Sequence, residues 1–378
     1  MKIHLNLQEV NNHLSGIGVF EREIAHRIKL GNKQELFGGL FDPKSIFNKG
    51  KYQTFHFPVE VSPLRAQWLF NYGSSRKKIP LIRYNSLFKT DCNIYVFFSY
   101  RLPRCKINGK IVACIHDLIP LKTEMENKGI VENYINSIKD VADRADIIVT
   151  VSENSKSDIV NYLKVSPEKI RVINNGVELE LYKNPVNKDE IKLIRNRYNL
   201  PEKYILYFGS SRKHKNVESI LNAYALLPEH LKKEYKLVIT NPNQSIKELA
   251  LSKNINQNIV FVNAISDEHK VAIYQMASLK LLLSLYEGFG IPVIEAMAAK
   301  VPVIASNCSS IPEVAGDAAI LVDPLNVEEI VKAIEDVLSD ETLRNSLIEK
   351  GIINVEKYTW ESAAQKFNCI IDELCEVL

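Results

Sequence analysis

Two glutamates, Glu287 and Glu295, stand in the stretch SLYEGFGIPVIEAMAAKVPVIAS (284–306), a segment otherwise apolar enough to be buried. Between them lie Gly288-Phe289-Gly290, then Ile291 and Pro292, then a run of helix formers, so the spacing predicts a helix that begins near the proline. The first amides of a helix have no partner within it, and the helix dipole favours negative charge there. Amides from Gly290 onward can therefore receive phosphate oxygens, while the glycines let a ligand approach the backbone. Glu295 falls about 4 to 5 Å further along the axis, within reach of sugar hydroxyls joined to such a phosphate. Glu287, in the preceding loop, would flank the other side, so that two acids bracket the diphosphate of a nucleotide sugar. The plainer alternative makes Glu295 a partner of its own helix dipole and Glu287 a surface acid.

Three further stretches place reactive residue types where strands should end, which is where open parallel sheets bind ligands. YILYFGSSRKHKNVESIL (204–221) predicts a strand, then Gly209 and Ser210, then a loop with Arg212 and Lys215 ahead of a helix. Those cations could clamp a diphosphate, or form a solvated charge run. KIVACIHDLIPL (110–121) sets His116 and Asp117 directly after an apolar run. The imidazole could bond a sugar hydroxyl or a leaving oxygen, or be structural. HLSGIGVFEREIAHRI (13–28) puts Gly16 and Gly18 between the first strand and the first helix, as a tight turn or a cradle for a ligand. The third glycine of a dinucleotide fingerprint would fall at Glu21, so that fingerprint is absent. Walker A, G-x-S-x-G, H-E-x-x-H and D-x-D sequences are absent too, and no metal or cofactor is implied.

The elements that would position these residues alternate along the whole chain. Short β-rich runs at 2–7, 93–99, 110–116, 146–152, 171–176, 204–210, 235–240, 258–263, 279–285 and 301–306 are separated by helical patterns such as 17–30. That alternation predicts an α/β protein whose parallel sheets are covered by helices on both faces. The polar stretch NNGVELELYKNPVNKDE (174–190) reads as a boundary. The expected division is a doubly wound, Rossmann-like domain over 1–175, a linker over 176–189, a second such domain over 190–356, and a C-terminal helix over 357–378. That helix carries Phe367, Ile370, Ile371, Leu374 and Leu378 on one side and could cross back to the first domain.

Length and composition fit a globular chain of two domains, with 378 residues, 46% hydrophobic and 25% charged. The opening residues resemble a strand more than a signal peptide, and no apolar run approaches the length of a membrane span. Six scattered cysteines (Cys92, Cys105, Cys114, Cys308, Cys369, Cys375) suggest neither zinc nor a disulfide framework. A cytoplasmic protein is expected. Residues 1–180 hold 26 lysines and arginines against 19 acids, so the first half is the basic one. Arg76-Lys77-Lys78 and Arg101, Arg104, Lys106 and Lys110 could meet anionic lipid headgroups at the inner face of a membrane or a phosphorylated carrier, or be solvated. They carry no nucleic-acid signature. The aromatics Trp68, Phe70, Tyr72 and Tyr100 could stack on sugars or fill the core.

EGFGIPVIEAMAAKVPVIAS, with its E-x7-E spacing, followed by SSIPEVAGDAAILVDP, closely resembles the family-four retaining glycosyltransferases of the GT-B fold. The weaker stretches IHDLIP (115–120), VTVSENSKSDI (149–159), INNGV (173–177) and FGSSRKHKN (208–216) occur in that family's order. The resemblance implies two Rossmann-like domains facing a cleft, with the nucleotide sugar held by the second and the acceptor by the first. It implies that Glu295 binds ribose hydroxyls, that Glu287 binds the transferred sugar, and that Gly288, Phe289, Gly290 and Ile291 offer backbone to the donor. Lys215 and Arg212 would pair with the diphosphate beside Gly209 and Ser210. Val262 and Asn263 would border the base. His116 would lie near the reacting carbon, Gly16 and Gly18 would approach the donor, and Asp117 and Ser152 would fall on the acceptor side. Catalysis would rest on His116, Glu287, Lys215 and Arg212 with no metal, by front-face attack that retains the anomeric configuration. HDLIPL is most similar to mannosyltransferases, which implies GDP-mannose as donor, a UDP-sugar next, and a glycan or lipid-linked acceptor in bacterial-type surface polysaccharide synthesis. Other readings are a phosphorylase or hydrolysing epimerase of the same architecture, and an inactive partner protein that binds sugar nucleotides. Two positions depart from the family pattern: Ser210 stands where many members carry Arg, so either Arg212 substitutes or one phosphate contact is missing, and Ser309-Ser310-Ile311 replaces a small-Gly pair.

Overall fold

The computed structural model describes residues 2–7, 16–28, 35–40, 53–54, 92–103, 106–123 and 128–377. Arg76, Lys77, Lys78, Arg104, Cys105, Trp68, Phe70, Tyr72 and Leu378 lie outside the described residues. The chain divides into two compact units, Met1–Asn175 together with Trp360–Leu378, and Gly176–Thr359.

The first unit carries a seven-stranded parallel sheet built from β1 (Lys2–Leu7), β2 (Glu35–Leu40), β3 (Gln53–Thr54), β4 (Ile94–Phe97), β5 (Lys110–Cys114), β6 (Ile147–Thr150) and β7 (Ile170–Val172). Its order is β3-β2-β1-β4-β5-β6-β7. The second unit carries a six-stranded parallel sheet of β8 (Tyr204–Tyr207), β9 (Lys236–Thr240), β10 (Ile259–Val262), β11 (Leu279–Leu282), β12 (Val303–Ser306) and β13 (Ile320–Val322). Its order is β10-β9-β8-β11-β12-β13. In both, strand order reverses direction once, between β1 and β4 and between β8 and β11, which makes each sheet doubly wound. Strands such as β4, β6, β8, β11 and β12 are buried throughout because helices cover both faces, so their sequences are continuous apolar runs rather than alternating ones.

Three strands escape the sequence reading. β2 has the sequence ELFGGL, whose paired glycines weaken a strand signal, while β3 and β13 span only two and three residues. Most expected strands are shorter than their apolar runs: β4 stops at Phe97 and β11 at Leu282, and the residues beyond leave the sheet to form loops. The first helix runs Gly16–Arg27, so Gly16 and Gly18 form its first turn rather than a loop ahead of it. Gly18 is buried there.

The helix Trp360–Glu376 belongs to the first unit. Phe367 stacks on Phe98 at 5.6 Å between ring centroids, and Trp360 meets Phe20 edge-on at 6.3 Å. Ile370, Ile371 and Leu374 are buried with them, each contributing about 1.5–3 kcal/mol by leaving water. Arg27 pairs with Glu361 at 2.9 Å and Arg171 with Glu373 at 2.8 Å along the helix flank. Tyr100 packs edge-on against Tyr134 at 4.8 Å, so it meets the core, and Lys110 is paired with Asp146 at 2.9 Å.

Candidate functional site

In the second unit the sequence-derived residues gather at the carboxyl ends of β8 and β11, the two strands that flank the reversal of strand order. Leaving β11, the chain passes Leu283 and Ser284 and turns through Tyr286–Gly290 into the helix Ile291–Ala298. Gly290 takes φ +103° and ψ +47° at the helix start, a conformation that suits glycine. No side chain caps this helix, Pro292 has no N–H, and the Val293 amide turns back to the Gly290 carbonyl at 2.9 Å. The uncapped amides are therefore those of Gly290 and Ile291, a narrower set than the sequence implied.

Glu287 is only 5% exposed. Lys215 Nζ donates to both of its carboxylate oxygens at 2.7 and 2.9 Å, and Ser284 Oγ donates to Oε1 at 2.6 Å. Burial opposes ionisation of this carboxyl, but the Lys215 charge and the hydrogen bonds from Lys215 and Ser284 outweigh it and hold it below the usual carboxylate range. The loop that presents Glu287 is fixed from behind. Its amide donates to Ser309 Oγ, and Ser310 Oγ sits 3.0 Å from the carbonyls of both Glu287 and Phe289. The serines that replace the family's small-Gly pair thus hold the loop, with Ser309 itself at φ +55°.

Lys215 is placed by the turn Lys213–Lys215, which the Leu285 amide ties to the Glu287 loop through the His214 carbonyl at 2.8 Å. Asn216, next in sequence, donates to the carbonyls of Leu283 and Pro324 at 3.0 and 2.9 Å. His214 is buried, and its pKa falls to about 4 through burial first and the Lys215 charge second, so it is neutral near pH 7. Gly209 is braced by Thr240 Oγ1, which accepts its amide at 2.9 Å, and the Ser210 carbonyl accepts Tyr207 O–H at 2.6 Å. Arg212 is exposed and makes no ion pair among the described residues. Val262 ends β10, buried, with Asn263 exposed after it.

Glu295, 6% exposed, lies on the buried face of its helix and accepts a hydrogen bond from Lys270 of the helix Asp267–Gln275. Each acid of the pair is therefore matched with its own lysine. Beneath them stands a third lysine, Lys280, in the middle of β11 and 0% exposed. Burial brings its pKa down to about 7, with the charges of Glu295 and Glu287 opposing the fall and those of Lys215 and Lys270 adding to it. An unfolded lysine keeps its proton to about pH 10.4. Below pH 7 both states are charged and the penalty is complete; above pH 10 neither is. Stability should accordingly rise as pH increases between these limits, by up to about 1.4 kcal/mol per pH unit from this group. Chemical denaturation of wild type and Lys280→Met from pH 6.5 to 9 would check it, the variant losing that slope.

The first unit holds the other candidates. His116 follows β5, is buried, and its Nε2–H donates to the Phe98 carbonyl at 2.9 Å, with Phe20 edge-on at 5.1 Å. Burial lowers its pKa, against a smaller opposing effect of that hydrogen bond, so the imidazole is neutral and Nδ1 is the nitrogen left to accept. Asp117 Oδ1 accepts the Ile119 amide at 3.0 Å, and Ser152 Oγ caps the helix Glu153–Leu163 through the Ser155 amide at 3.0 Å. Ser152 thus has a capping task, and Asp117 braces the turn ahead of Ile119. Among the described residues no three His, Cys, Asp or Glu side chains gather where they could hold a metal ion.

Sequence reasoning missed Lys270, Lys280 and Ser284, and met Ser310 only as a departure from the family pattern. Only Lys280 left a visible signal, a single charge inside the strand LKLLLSL, which is otherwise too apolar to have a wet face.

Residues 190–353 match the family profile described as glycosyl transferases group 1, and residues 44–181 match glycosyltransferase family 4. Together they cover most of the chain. Glycosyltransferase domains thus make up both halves of the chain. The chain is 27% identical to O-antigen chain mannosyltransferase B of Escherichia coli over 96% of its own length and 97% of that protein. It is 28% identical over 71% of its length to the serotype-specific mannosyltransferase WbdA of E. coli. There it spans about a third of the relative's length. Among solved structures, sucrose-phosphate synthase of Thermosynechococcus elongatus superposes with a TM-score of 0.75 at 18% identity over all of both chains. Anabaena HepE, solved with UDP and glucose, superposes at 0.71 and 15% identity over 99% of this chain and all of its own. At such identities these two likenesses establish the fold alone.

Proposed function

We propose that this protein moves a hexose from a nucleotide diphosphate sugar to a hydroxyl of a glycan or lipid-linked acceptor in surface polysaccharide synthesis. Mannose from GDP-mannose is the first choice and a UDP-sugar the second. The observation that carries the reading is the Lys215–Glu287 pair beside the uncapped amides of Gly290 and Ile291, all at the point where strand order reverses. The mannosyltransferase names of the relatives support the choice of sugar.

Cleaving the sugar–phosphate bond leaves positive charge on the ring and adds negative charge to the departing diphosphate. The residues at hand act on that charge. Lys215 can extend from Glu287 to a phosphate oxygen, the amides of Gly290 and Ile291 face another, and Arg212 supplies an exposed cation from the loop edge. Glu287 and Glu295 accept hydroxyls of the transferred sugar and the ribose. Neutral His116, with its tautomer fixed by the Phe98 carbonyl, offers Nδ1 as an acceptor toward a hydroxyl. Glu287 is not assigned as a nucleophile: the acceptor attacks from the face the diphosphate leaves, and a diphosphate oxygen takes its proton, so that the anomeric configuration is retained. No metal or cofactor is required in this scheme. The protein would work at the cytoplasmic side, with its basic first half resting on anionic membrane; no helix among the described residues is long and apolar enough to cross one.

Thermal unfolding with GDP, UDP, ADP and CDP tests the donor half. The preferred nucleotide at one hundred times its Kd should add about 2.7 kcal/mol to stability, and the others much less. Failure of all four to shift the midpoint would remove the donor assignment. Transfer is then read with the matching sugar nucleotide and a lipid-linked glycan acceptor.

A further inference from the structure

Among the described residues, Lys215 and Lys270 each have a carboxylate at ion-pair distance and Lys280 has none. Its register on β11 places it opposite Leu206 of β8 and Val303 of β12, on the face opposite Leu279 and Leu281, which enter the main apolar cluster. The long side chain runs toward the carboxyl end of β8, where Nζ lies 3.5 Å from the Phe208 carbonyl. Around it are two aromatic faces, Tyr207 at 5.3 Å and Tyr274 at 5.9 Å from ring centroid to Nζ. Phe208 and Tyr274 pack together at 5.2 Å, and Lys270 Nζ sits 5.7 Å from the Phe208 ring. A fully buried ammonium with one long hydrogen bond and no counter-ion is an expensive arrangement.

The charges that face Lys280 come from every element around it. Glu295 comes from the helix Ile291–Ala298, Glu287 from the loop after β11, Lys215 from the turn Lys213–Lys215 and Lys270 from the helix Asp267–Gln275. Tyr274 of the latter helix and Tyr207 of β8 are protonated phenols whose pKa burial raises, and β12 presents no titratable group. The two acids are already balanced by Lys215 and Lys270. A charged Lys280 is thus an excess cation in the free protein. A donor's diphosphate brings two negative charges to the same strand ends and is the counter-ion this amine lacks.

We propose that Lys280 is a positioning residue that takes up a proton when the donor binds, and that the ammonium so formed holds the diphosphate's field from beneath Glu287 and Glu295. This rests on the donor reading above. One proton passes from buffer to Nζ; no other bond is made or broken. Lys280 then contributes to donor affinity in a way that weakens as pH rises through the neutral range.

Titration calorimetry with GDP-mannose and UDP-glucose, run at pH 8 in HEPES and in Tris, reads the proton directly, since the diphosphate of a sugar nucleotide carries no titrating proton there. Wild type should take up about half to one proton per bound donor. Lys280→Met, a change of similar volume that removes a buried charge, should fold, take up none, and bind about tenfold more weakly at pH 7, equivalent to one pKa unit. Lys280→Arg, charged at every pH used, should also take up none, yet bind with an affinity that no longer falls between pH 6.5 and 8.5. Wild type that binds with no proton uptake, or a Met variant that keeps the uptake, overturns the assignment to Lys280. Wild type that binds neither sugar nucleotide overturns the donor reading, and this inference with it.

Discussion

Lys215→Ala is expected to lower turnover with the preferred sugar nucleotide by about 10²- to 10³-fold, the range seen when one preorganised donor to a developing anion is removed. The loss should be visible as a fall in kcat as well as in kcat/KM, because the lysine acts most strongly on the charge that develops as the diphosphate leaves. A second effect follows from Glu287. Its carboxylate is 5% exposed and would keep only the Ser284 hydroxyl as a side-chain donor. Breaking a buried pair on one side can cost about 3–5 kcal/mol, and the partial exposure of Lys215 places this one at or below the lower end of that range. Because the folded pKa of Glu287 is lowered, the pair stabilises the protein above the ordinary carboxylate range and fades as pH falls below it. Lys215→Ala combined with Glu287→Gln should recover much of the melting temperature and none of the activity. A Lys215→Ala enzyme that melts early yet turns over normally would reduce the lysine to a structural role.

Gly290→Ala should cost both stability and donor affinity. At φ +103° an alanine is strained, by about 1–3 kcal/mol, and its Cβ would lie 2.5 Å from Ile311 Cδ1. For a unit of this size that corresponds to a fall of roughly 3 to 8 °C in midpoint. Relaxation of the strain would turn the amides of Gly290 and Ile291 away from a bound phosphate, so the donor Kd should rise about tenfold or more. Ile311→Val in the same background separates the two causes. It deletes the clashing methyl and leaves the dihedral strain, so midpoint and affinity should recover only in part. Full recovery would show that the contact, and not the backbone angle, makes glycine necessary.

Much of this architecture was legible in the sequence because parallel strands buried on both faces must be continuous apolar runs. KIVAC, YILY, KLVIT and VIAS announce themselves in that way. ELFGGL does not, since its pairing is set by its neighbour β1 rather than by its own propensity. Glu287, Glu295 and Lys215 stood out because polar residues at strand ends beside glycine and proline have few structural uses. The pairing of Glu295 with Lys270 could not be read in the same way. It joins two successive helices across β11, and each residue alone resembles an ordinary helix-surface charge. His116 was placed by its strand, but its tautomer depends on the Phe98 carbonyl, which only the register of β4 and β5 brings opposite. Gly16 and Gly18 were misplaced by a few residues because glycine signals a turn wherever it occurs, including the first turn of a helix.

The helix Trp360–Glu376 closes the first unit with residues that follow the whole of Gly176–Thr359 in the chain. On the ribosome, the portion translated first must therefore wait with Phe20 and Phe98 uncovered while the intervening unit emerges and completes its own sheet. The usual order of maturation is inverted: the later-made unit is self-sufficient, and the earlier-made one stays exposed to chaperones and proteases until its missing helix arrives.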